Sequence, residues 1–287
     1  MFKKMTKKIV SGVLALTSVV ACAGTLTACE TAHPEVEITL SFNGETYELN
    51  YNLYRKVAPA TTKHFIWLVE NGYYKGLCIH DYTSSRMYTG AFEAAKEGNG
   101  LISRNYFDFV KTRKNLSKFP HSVWEDREQT LPLYTLRGEF KNNSFEVQNG
   151  ALTPEFGSLT MYYTSNNASD DVYVEYESKE GMASRQYKYN SATAMFYIAL
   201  KEETSSSSYC TFALLQDGED EVLKELQEDI AEYITDTYGD GEDAEFTTTK
   251  TVTVGEGDML LEDYEKNVNY SVPNAAIVIE SIKVTKY

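Results

Sequence analysis

Alternating apolar and polar residues mark most of the chain as β-strand. The runs "VEITLSF" and "TYELNYNLY" alternate with a period of two on either side of "NGE", which predicts a β-hairpin near the start of the domain. Further strand-like runs are "GLCIHDY", "GSLTMYYTS", "AMFYIAL", "TKTVTV" and "AAIVIESIKVTKY". The pattern predicts a mainly β fold.

Two segments change to the spacing of an α-helix. In "APATTKHFIWLVENGYY" the residues that share one helix face are Thr61, Phe65, Leu68 and Val69, and Gly72 is predicted to end the helix. A later segment that stops at Gly239 repeats apolar residues every four positions: Val222, Leu226, Ile230 and Ile234, with Leu223 beside them. Many short strands with one early and one late helix predict a closed antiparallel barrel capped by two helices.

Two polar stretches interrupt this pattern. Residues 93 to about 135 are mixed in composition and contain one helix-like run, "FDFVKTRKNLSKF". Residues 165–190 contain "VYVEYES" and "RQYKY", which predict a protruding two-stranded ribbon. We interpret both stretches as insertions into a single domain that spans residues 36–287.

The first 28 residues have the composition of an export signal. Four lysines precede an uncharged apolar run that is broken by small residues and is short for a membrane span. "LTAC" at 26–29 resembles a bacterial lipobox, which would make Cys29 the lipid-bearing first residue and residues 29–35 a tether. Cleavage at Cys22 and an ordinary secretory signal are the alternatives. The sequence predicts an extracytoplasmic protein anchored to the bacterial membrane by lipid.

The charge of the chain excludes one class of partner. The chain carries 27 Lys and Arg against 42 Asp and Glu, a formal net charge of −15, and removal of the four lysines of the signal leaves −19. Such a charge repels nucleic acid and anionic headgroups. We therefore expect no nucleic-acid binding and a membrane attachment that comes from the lipid alone.

Cysteines and histidines give no sign of a metal or cofactor. Cys78 and Cys210 each lie in an apolar run, so two buried free thiols are expected, with a disulfide between them as the alternative. The histidines are at positions 33, 64, 80 and 121, without metal-ligand spacing. We expect His80, at the end of a strand, to be a hydrogen-bonded structural residue.

Several blocks of the chain resemble the cyclophilins, in the order in which that family has them. "VAPATTKHFIWLVENGYYKGLCIH" is similar to the early block "AP.T..NF..L...GYY.G..FHR". Later strands of the family are similar to "GSLTMYYT", "AMFYIAL", "YCTFALLQDG" and "VPNAAIVIESIKV". The resemblance implies an eight-stranded barrel with a helix over each open end. It also implies prolyl cis/trans isomerisation without a cofactor.

Prolyl isomerisation requires a hydrogen-bond donor beside the proline. Rotation of the peptide bond crosses a barrier of about 18–20 kcal/mol, and a fixed cation supports the nitrogen as its lone pair localises. In cyclophilins an Arg does this, but the resemblance places Asp81 there, and a carboxylate only accepts hydrogen bonds. Arg86 has two interpretations: a partly exposed ion pair with Asp81 across the turn, or a relocated catalytic cation that Asp81 orients.

The resemblance assigns further residues to substrate-facing positions. They are Met87 and Thr89 in the "FM.Q" block, Tyr162 in "SMA", Met195, Phe196 and Tyr197 in "QFF", and Tyr209 at the His that precedes "VVFG". Only Met87 and Phe196 keep the residue that the family has. We expect tyrosines 82, 88, 162, 197 and 209 to line the rim of a peptide groove, since Tyr-rich surfaces often mark protein contacts.

These observations support two functions. The first is a prolyl isomerase or foldase that acts on proline-containing peptides or exported proteins at the cell surface. The second is a catalytically silent module that binds peptide or protein on the same fold, which the substituted pocket favours. A β-rich surface lipoprotein that acts through its insertions is a third, unrelated reading.

Overall fold

The computed structural model describes residues 32–96, 98–147, 150–164, 170–204, 207–239, 245–254 and 266–287. The predicted signal at 1–28, Cys22 and the lipid site Cys29 lie outside the described residues. Among the residues that are described, no helix has the length and apolar character that crossing a membrane requires.

Sixteen strands and three α-helices are found in the described residues. In chain order they are β1 (Glu35–Phe42), β2 (Glu45–Leu53), α1 (Pro59–Glu70), β3 (Asp81–Tyr82), β4 (Arg86–Thr89), β5 (Phe92–Ala94), β6 (Leu101–Ser103), α2 (Tyr106–Lys111), β7 (Val123–Trp124), β8 (Pro132–Leu133), β9 (Leu159–Met161), β10 (Asp171–Glu175), β11 (Met182–Gln186), β12 (Phe196–Ala199), β13 (Thr211–Leu215), α3 (Asp220–Tyr238), β14 (Thr247–Val254), β15 (Lys266–Pro273) and β16 (Val278–Lys286).

Eight antiparallel strands form the main sheet, in the order β16-β1-β2-β13-β9-β12-β4-β3. The hairpin predicted around "NGE" joins β1 to β2, and it turns through Asn43 and Gly44, which both have positive φ angles. The last strand, β16, pairs with the first, β1. The mainly β, antiparallel character predicted from the sequence is confirmed.

The main sheet curls into a half-barrel without closing. Its two end strands are β3 and β16, and no ladder joins them in the described part of the chain. The edges meet only beside β3, where Gly76 N donates to Ile279 O (2.8 Å) and Ile279 N donates to Leu77 O (2.7 Å). The predicted closed barrel is therefore wrong, because the segment before β3 makes only an isolated bridge to β16, between Cys78 and Val278, in the described residues.

Helices α1 and α3 pack on the half-barrel, as predicted. Leu223, Leu226 and Ile230 of α3 are buried in the core, and the helix ends at Gly239, which has a φ of 81°. α1 is buried on more of its surface than the predicted face, because the first insertion covers its other side. His64 shares a 2.9 Å hydrogen bond with Tyr106 of that insertion.

The two insertions join in a second sheet. β10 and β11 form the predicted ribbon, but β10 also pairs with β7 of the first insertion, which gives the order β11-β10-β7-β8. A small apolar core that includes Val123 and Val172 lies in this sheet. The ribbon therefore does not protrude alone, because its apolar side chains pack against those of β7 and β8.

The segment just after the first insertion completes the start of α1. Ala58 at the N-cap has no side-chain oxygen, and the backbone N–H groups of Ala60 and Thr61 instead donate to the Glu139 carboxylate, each at 2.9 Å. Glu139 is fully buried, and burial raises its pKa although Arg137 and the two N–H groups oppose this.

Both cysteines in the described residues are free thiols. Cys78 and Cys210 are buried, and burial raises the pKa of the Cys78 thiol to about 12. The expectation of two buried free cysteines is confirmed, and the alternative of a disulfide between them is wrong.

Candidate functional site

The register of β4 decides which side chains of "RMYT" face outward. β4 pairs with β12 so that Tyr88 lies opposite Tyr197 and Met87 lies opposite Ile198. Met87 and Ile198 both belong to the main core. Because side chains alternate along a strand, Arg86, Tyr88 and Tyr197 share the outer face of the sheet.

Three residues assigned to the substrate by the resemblance lie away from this outer face. Met87 and Phe196 are fully buried in the main core. Thr89 is also buried, and its hydroxyl donates to the Cys78 carbonyl at 2.9 Å. The alignment used for "RMYT" therefore does not bring its Met and Thr to the surface that a peptide can reach.

The outer face carries a cleft of about 230 Å³, which we call the tyrosine cleft. Six tyrosines supply its aromatic lining, and its polar lining includes Arg86 and Lys188. The tyrosines are Tyr88, Tyr162, Tyr163, Tyr189, Tyr197 and Tyr209. Tyr88 contacts both Tyr162 and Tyr197, with ring centres 6.2 and 5.3 Å apart. Four of the five tyrosines predicted for the groove rim therefore meet here.

Arg86 lies inside the tyrosine cleft. Its guanidinium carbon is 4.4 Å from the centre of the Tyr197 ring and 5.9 Å from that of Tyr209. Nε and Nη2 donate to the two oxygens of Glu203 at 2.7 and 2.6 Å, and Nη1 donates to the Tyr88 hydroxyl at 2.9 Å. The Glu203 carboxylate raises the pKa of Arg86 further above its ordinary value.

Asp81 does not orient Arg86. Its Oδ1 accepts a hydrogen bond of 2.8 Å from the backbone N–H of Ser271 in β15. Asp81 is opposite Tyr88 in the β3–β4 register and lies on the same face as Arg86. The guanidinium of Arg86 is nevertheless paired with the carboxylate of Glu203. The predicted Asp81–Arg86 pair is wrong, because a bidentate carboxylate from another loop binds the guanidinium more completely.

A second group of assigned residues lies beneath the hairpin formed by β14 and β15. Met195 is 3% exposed and packs in a cluster with Val254, Tyr270 and Val272 of this hairpin, and Tyr162 contacts the same cluster. Tyr82 packs against Phe246, 5.2 Å away, and not in the tyrosine cleft. Asp81, Met195 and one side of Tyr162 are thus covered by the chain itself.

The tyrosine cleft offers aromatic faces and a partly engaged cation. A guanidinium has five N–H donors, and Arg86 directs three of its N–H bonds to Glu203 and Tyr88. Burial raises the pKa of Tyr197 to about 12, so its hydroxyl stays protonated at neutral pH. The cleft is suited to hold an apolar ring against tyrosines and to donate hydrogen bonds to a carbonyl or amide.

His80 does not serve as a base in this site. It is fully buried, and its ring lies 5.0 Å from both Phe92 and Tyr270. Burial lowers its pKa to about 3, and neither ring nitrogen has a hydrogen-bond partner among the described residues. His80 is structural, as expected, but ring contacts replace the hydrogen bonds that we expected.

Sequence reasoning missed the partner of Arg86 and one wall of the cleft. Glu203 is separated from Arg86 by 117 positions and lies in a polar loop after β12. Lys188 and Tyr189 come from the second insertion, which gave no sign of facing β4. The described residues contain no cluster of side chains suited to hold a metal ion.

Comparison with known proteins gives a family and a fold. A family model described as "Cyclophilin type peptidyl-prolyl cis-trans isomerase/CLD" matches residues 37–245. No curated protein matches the chain. A solved cyclophilin-type isomerase of Cryptosporidium parvum is 15% identical, covers 89% of this chain and 99% of its own, and has a TM-score of 0.42. A structure of that protein in the presence of the dipeptide Ala-Pro is also 15% identical, covers 88% and 99%, and has a TM-score of 0.41.

Proposed function

Because the chain belongs to the cyclophilin-type peptidyl-prolyl cis-trans isomerase family, we propose that the tyrosine cleft binds proline-containing peptide and isomerises it slowly, with Arg86 as the cation. One observation carries this proposal: the Arg86 guanidinium lies 4.4 Å over the Tyr197 ring, inside a cleft with aromatic walls. A proline ring packs on such tyrosines, and the remaining guanidinium donors lie beside it.

The slow rate follows from the partners of Arg86. A catalytic donor must be aimed at the charge that develops in the transition state, and Glu203 holds the Nε–Nη2 edge of the guanidinium elsewhere. Asp81 stands at the position where the family has its Arg, and it has no donor to offer when ionised. Peptide binding is therefore better supported than rapid turnover.

The bidentate Glu203–Arg86 pair favours a second function, a catalytically silent peptide-binding module. In that case the peptide packs on the flat face of the Arg86 guanidinium, which stays paired with the Glu203 carboxylate. Binding then has no effect on the rate of rotation about the proline bond.

NMR exchange spectroscopy on a short Ala-Pro peptide separates the two functions. We expect the wild type to accelerate cis/trans exchange at millimolar peptide and Arg86→Ala to reduce the acceleration at least tenfold, since a lost transition-state donor costs on the order of 100-fold. Arg86→Lys should fail as well, because an ammonium lacks the planar fork. Arg127→Ala, which removes an arginine stacked on Tyr173 in the insertion, is the matched control.

Each result of this experiment decides one function. Acceleration that persists in Arg86→Ala would overturn the role of Arg86. Saturable peptide shifts without acceleration in the wild type would establish the silent module. Absence of peptide shifts in every form would contradict both functions.

We also propose that the protein acts on exported proteins at the cell surface, held there by a lipid on Cys29. The basic start, the apolar run and "LTAC" support this location. A surface position would bring the cleft to newly exported chains before they fold, when their proline bonds are accessible.

A further inference from the structure

The hairpin of β14 and β15 is an addition to the part of the chain that defines the family. It starts at Thr247, after the family match ends at residue 245, and it forms a two-stranded sheet of its own. Instead of extending the main sheet, it lies across the outer side of β3.

Polar and apolar contacts hold this hairpin in place. The backbone N–H of Ser271 donates to Asp81 Oδ1 at 2.8 Å. The Tyr270 ring packs on His80 and Phe92, 5.0 and 5.7 Å away, and is only 8% exposed. Burial raises the pKa of Asp81, and the Ser271 N–H opposes that change.

The covered surface borders the open cleft at Tyr162. Tyr162 contacts the hairpin cluster on one side and lines the tyrosine cleft on the other. The residues on the covered side are Asp81 and Met195, which the cyclophilin resemblance assigns to the substrate groove. The groove is thus divided at Tyr162 into an open half and an occupied half.

We propose that the β14–β15 hairpin is an intramolecular competitor for the peptide groove. It fills the half that contains Asp81 and Met195, so a short peptide binds in the tyrosine cleft alone. A longer peptide has to displace the hairpin. This inference rests on the proposed function, because it concerns how much of the same groove a peptide can use.

The base of the hairpin allows this displacement without unfolding of the main sheet. Asn274 N donates to Phe246 O at 2.8 Å, so the two ends of the hairpin meet in a backbone hydrogen bond. Phe246 packs in the main core against Phe42 and Tyr82. The hairpin therefore pivots on an anchored base.

A matched pair at position 271 tests the proposal without a change in any groove side chain. Ser271→Pro removes the backbone donor to Asp81, and proline is tolerated on the outer edge of a sheet. Ser271→Ala keeps the donor. We expect Ser271→Pro to bind an eight-residue proline peptide about tenfold more tightly than wild type, since a hydrogen bond to a charged group is worth about that much. Ser271→Ala should match the wild type.

Peptide length supplies the internal control. A blocked Ala-Pro dipeptide fits the open half, so its affinity should be the same in wild type, Ser271→Pro and Ser271→Ala. A second variant replaces residues 247–273 by Asn-Gly, a pair that closes two-residue hairpins. It should bind the eight-residue peptide at least as tightly as Ser271→Pro does.

Hydrogen exchange on the wild type tests the proposal without relying on a variant, which could fail to fold. Saturation with the eight-residue peptide should accelerate exchange of the Ser271 amide at least tenfold, and the dipeptide should not. Equal affinities of all forms for the longer peptide, with Ser271 exchange unchanged at saturation, would overturn the inference while peptide binding itself stands. Failure of every form to bind either peptide would overturn the proposed function and this inference together.

Discussion

At the scale of single residues, the polar side chain of His80 packs in the core in the way that an apolar ring would. The imidazole is enclosed by aromatic rings, and both nitrogens lie buried without a partner among the described residues. Its pKa falls to about 3 because the charged form cannot be hydrated there. The unfolded chain binds a proton at the ordinary value of 6.5, so acid favours unfolding below that pH.

We therefore expect His80→Phe to make the free energy of unfolding depend less on pH below neutrality. The stability that comes from the depressed pKa of His80 is present above pH 6.5 and is lost as the pH falls towards 3. Between pH 7 and 5 the free energy of unfolding of the wild type should therefore fall by about 2 kcal/mol more than that of the variant. At pH 7 the variant should be at least as stable, because two unpaired buried nitrogens are removed. Urea unfolding at each pH measures both effects, and parallel profiles would contradict them.

Only some residues of the candidate site could be predicted from the sequence. Tyrosines 88, 162, 197 and 209 were expected at the rim and do meet, because the strand runs that carry them were recognised. Met87 was expected there as well, but β4 turns it into the core, since a shift of one position moves a side chain to the other face of a sheet. Glu203 could not be found, because no local pattern links it to Arg86.

At the scale of secondary-structure elements, α1 depends on a residue far away in the chain. Its N-terminal N–H groups are satisfied by Glu139, 79 and 78 positions from Ala60 and Thr61 and just after the first insertion. A helix start without such an acceptor leaves backbone donors unpaired. The segment that carries Glu139 is thus part of the folded domain and not a removable addition.

Glu139→Ala should lower the free energy of unfolding by about 1–2 kcal/mol, the usual worth of an N-terminal cap. Glu139→Gln keeps one acceptor oxygen and should lose less. Glu128→Ala, at an exposed position of the first insertion, is the control and should have little effect. Urea unfolding followed by circular dichroism gives the values, and a Glu139→Ala protein as stable as the control would show that α1 needs no cap.

The same scale shows why some elements were predicted and others were not. The β1–β2 hairpin and both long helices followed from turn residues and local spacing, which act over a few positions. The second sheet was missed because β7 has only two residues and pairs with β10 of the predicted ribbon through a contact that no local pattern shows. β15 was missed because "KNVNYSVP" has a weak alternation, and its apolar partners include Phe92 of β5 and Met195, just before β12.

At the scale of the whole molecule, the net charge and the proposed lipid anchor bear on how the protein would attach to a membrane. A net charge of −15 repels an anionic membrane surface, so the proposed attachment depends on the lipid. We expect Cys29→Ser to release the protein from the membrane fraction into the medium of a bacterial host, whereas Cys22→Ser should leave it attached. Fractionation with immunoblotting measures this, and release by Cys22→Ser alone would move the lipid site to Cys22.

The pairing of β16 with β1 has a consequence for synthesis and export. These strands, at residues 278–286 and 35–42, are neighbours in the sheet, so the central core cannot be completed until nearly the entire polypeptide has left the ribosome. Contacts of such long sequence separation form slowly. Under the export that we propose, a chain whose sheet is still incomplete would stay extended enough to pass through a translocation channel, and we expect it to fold on the far side of the membrane.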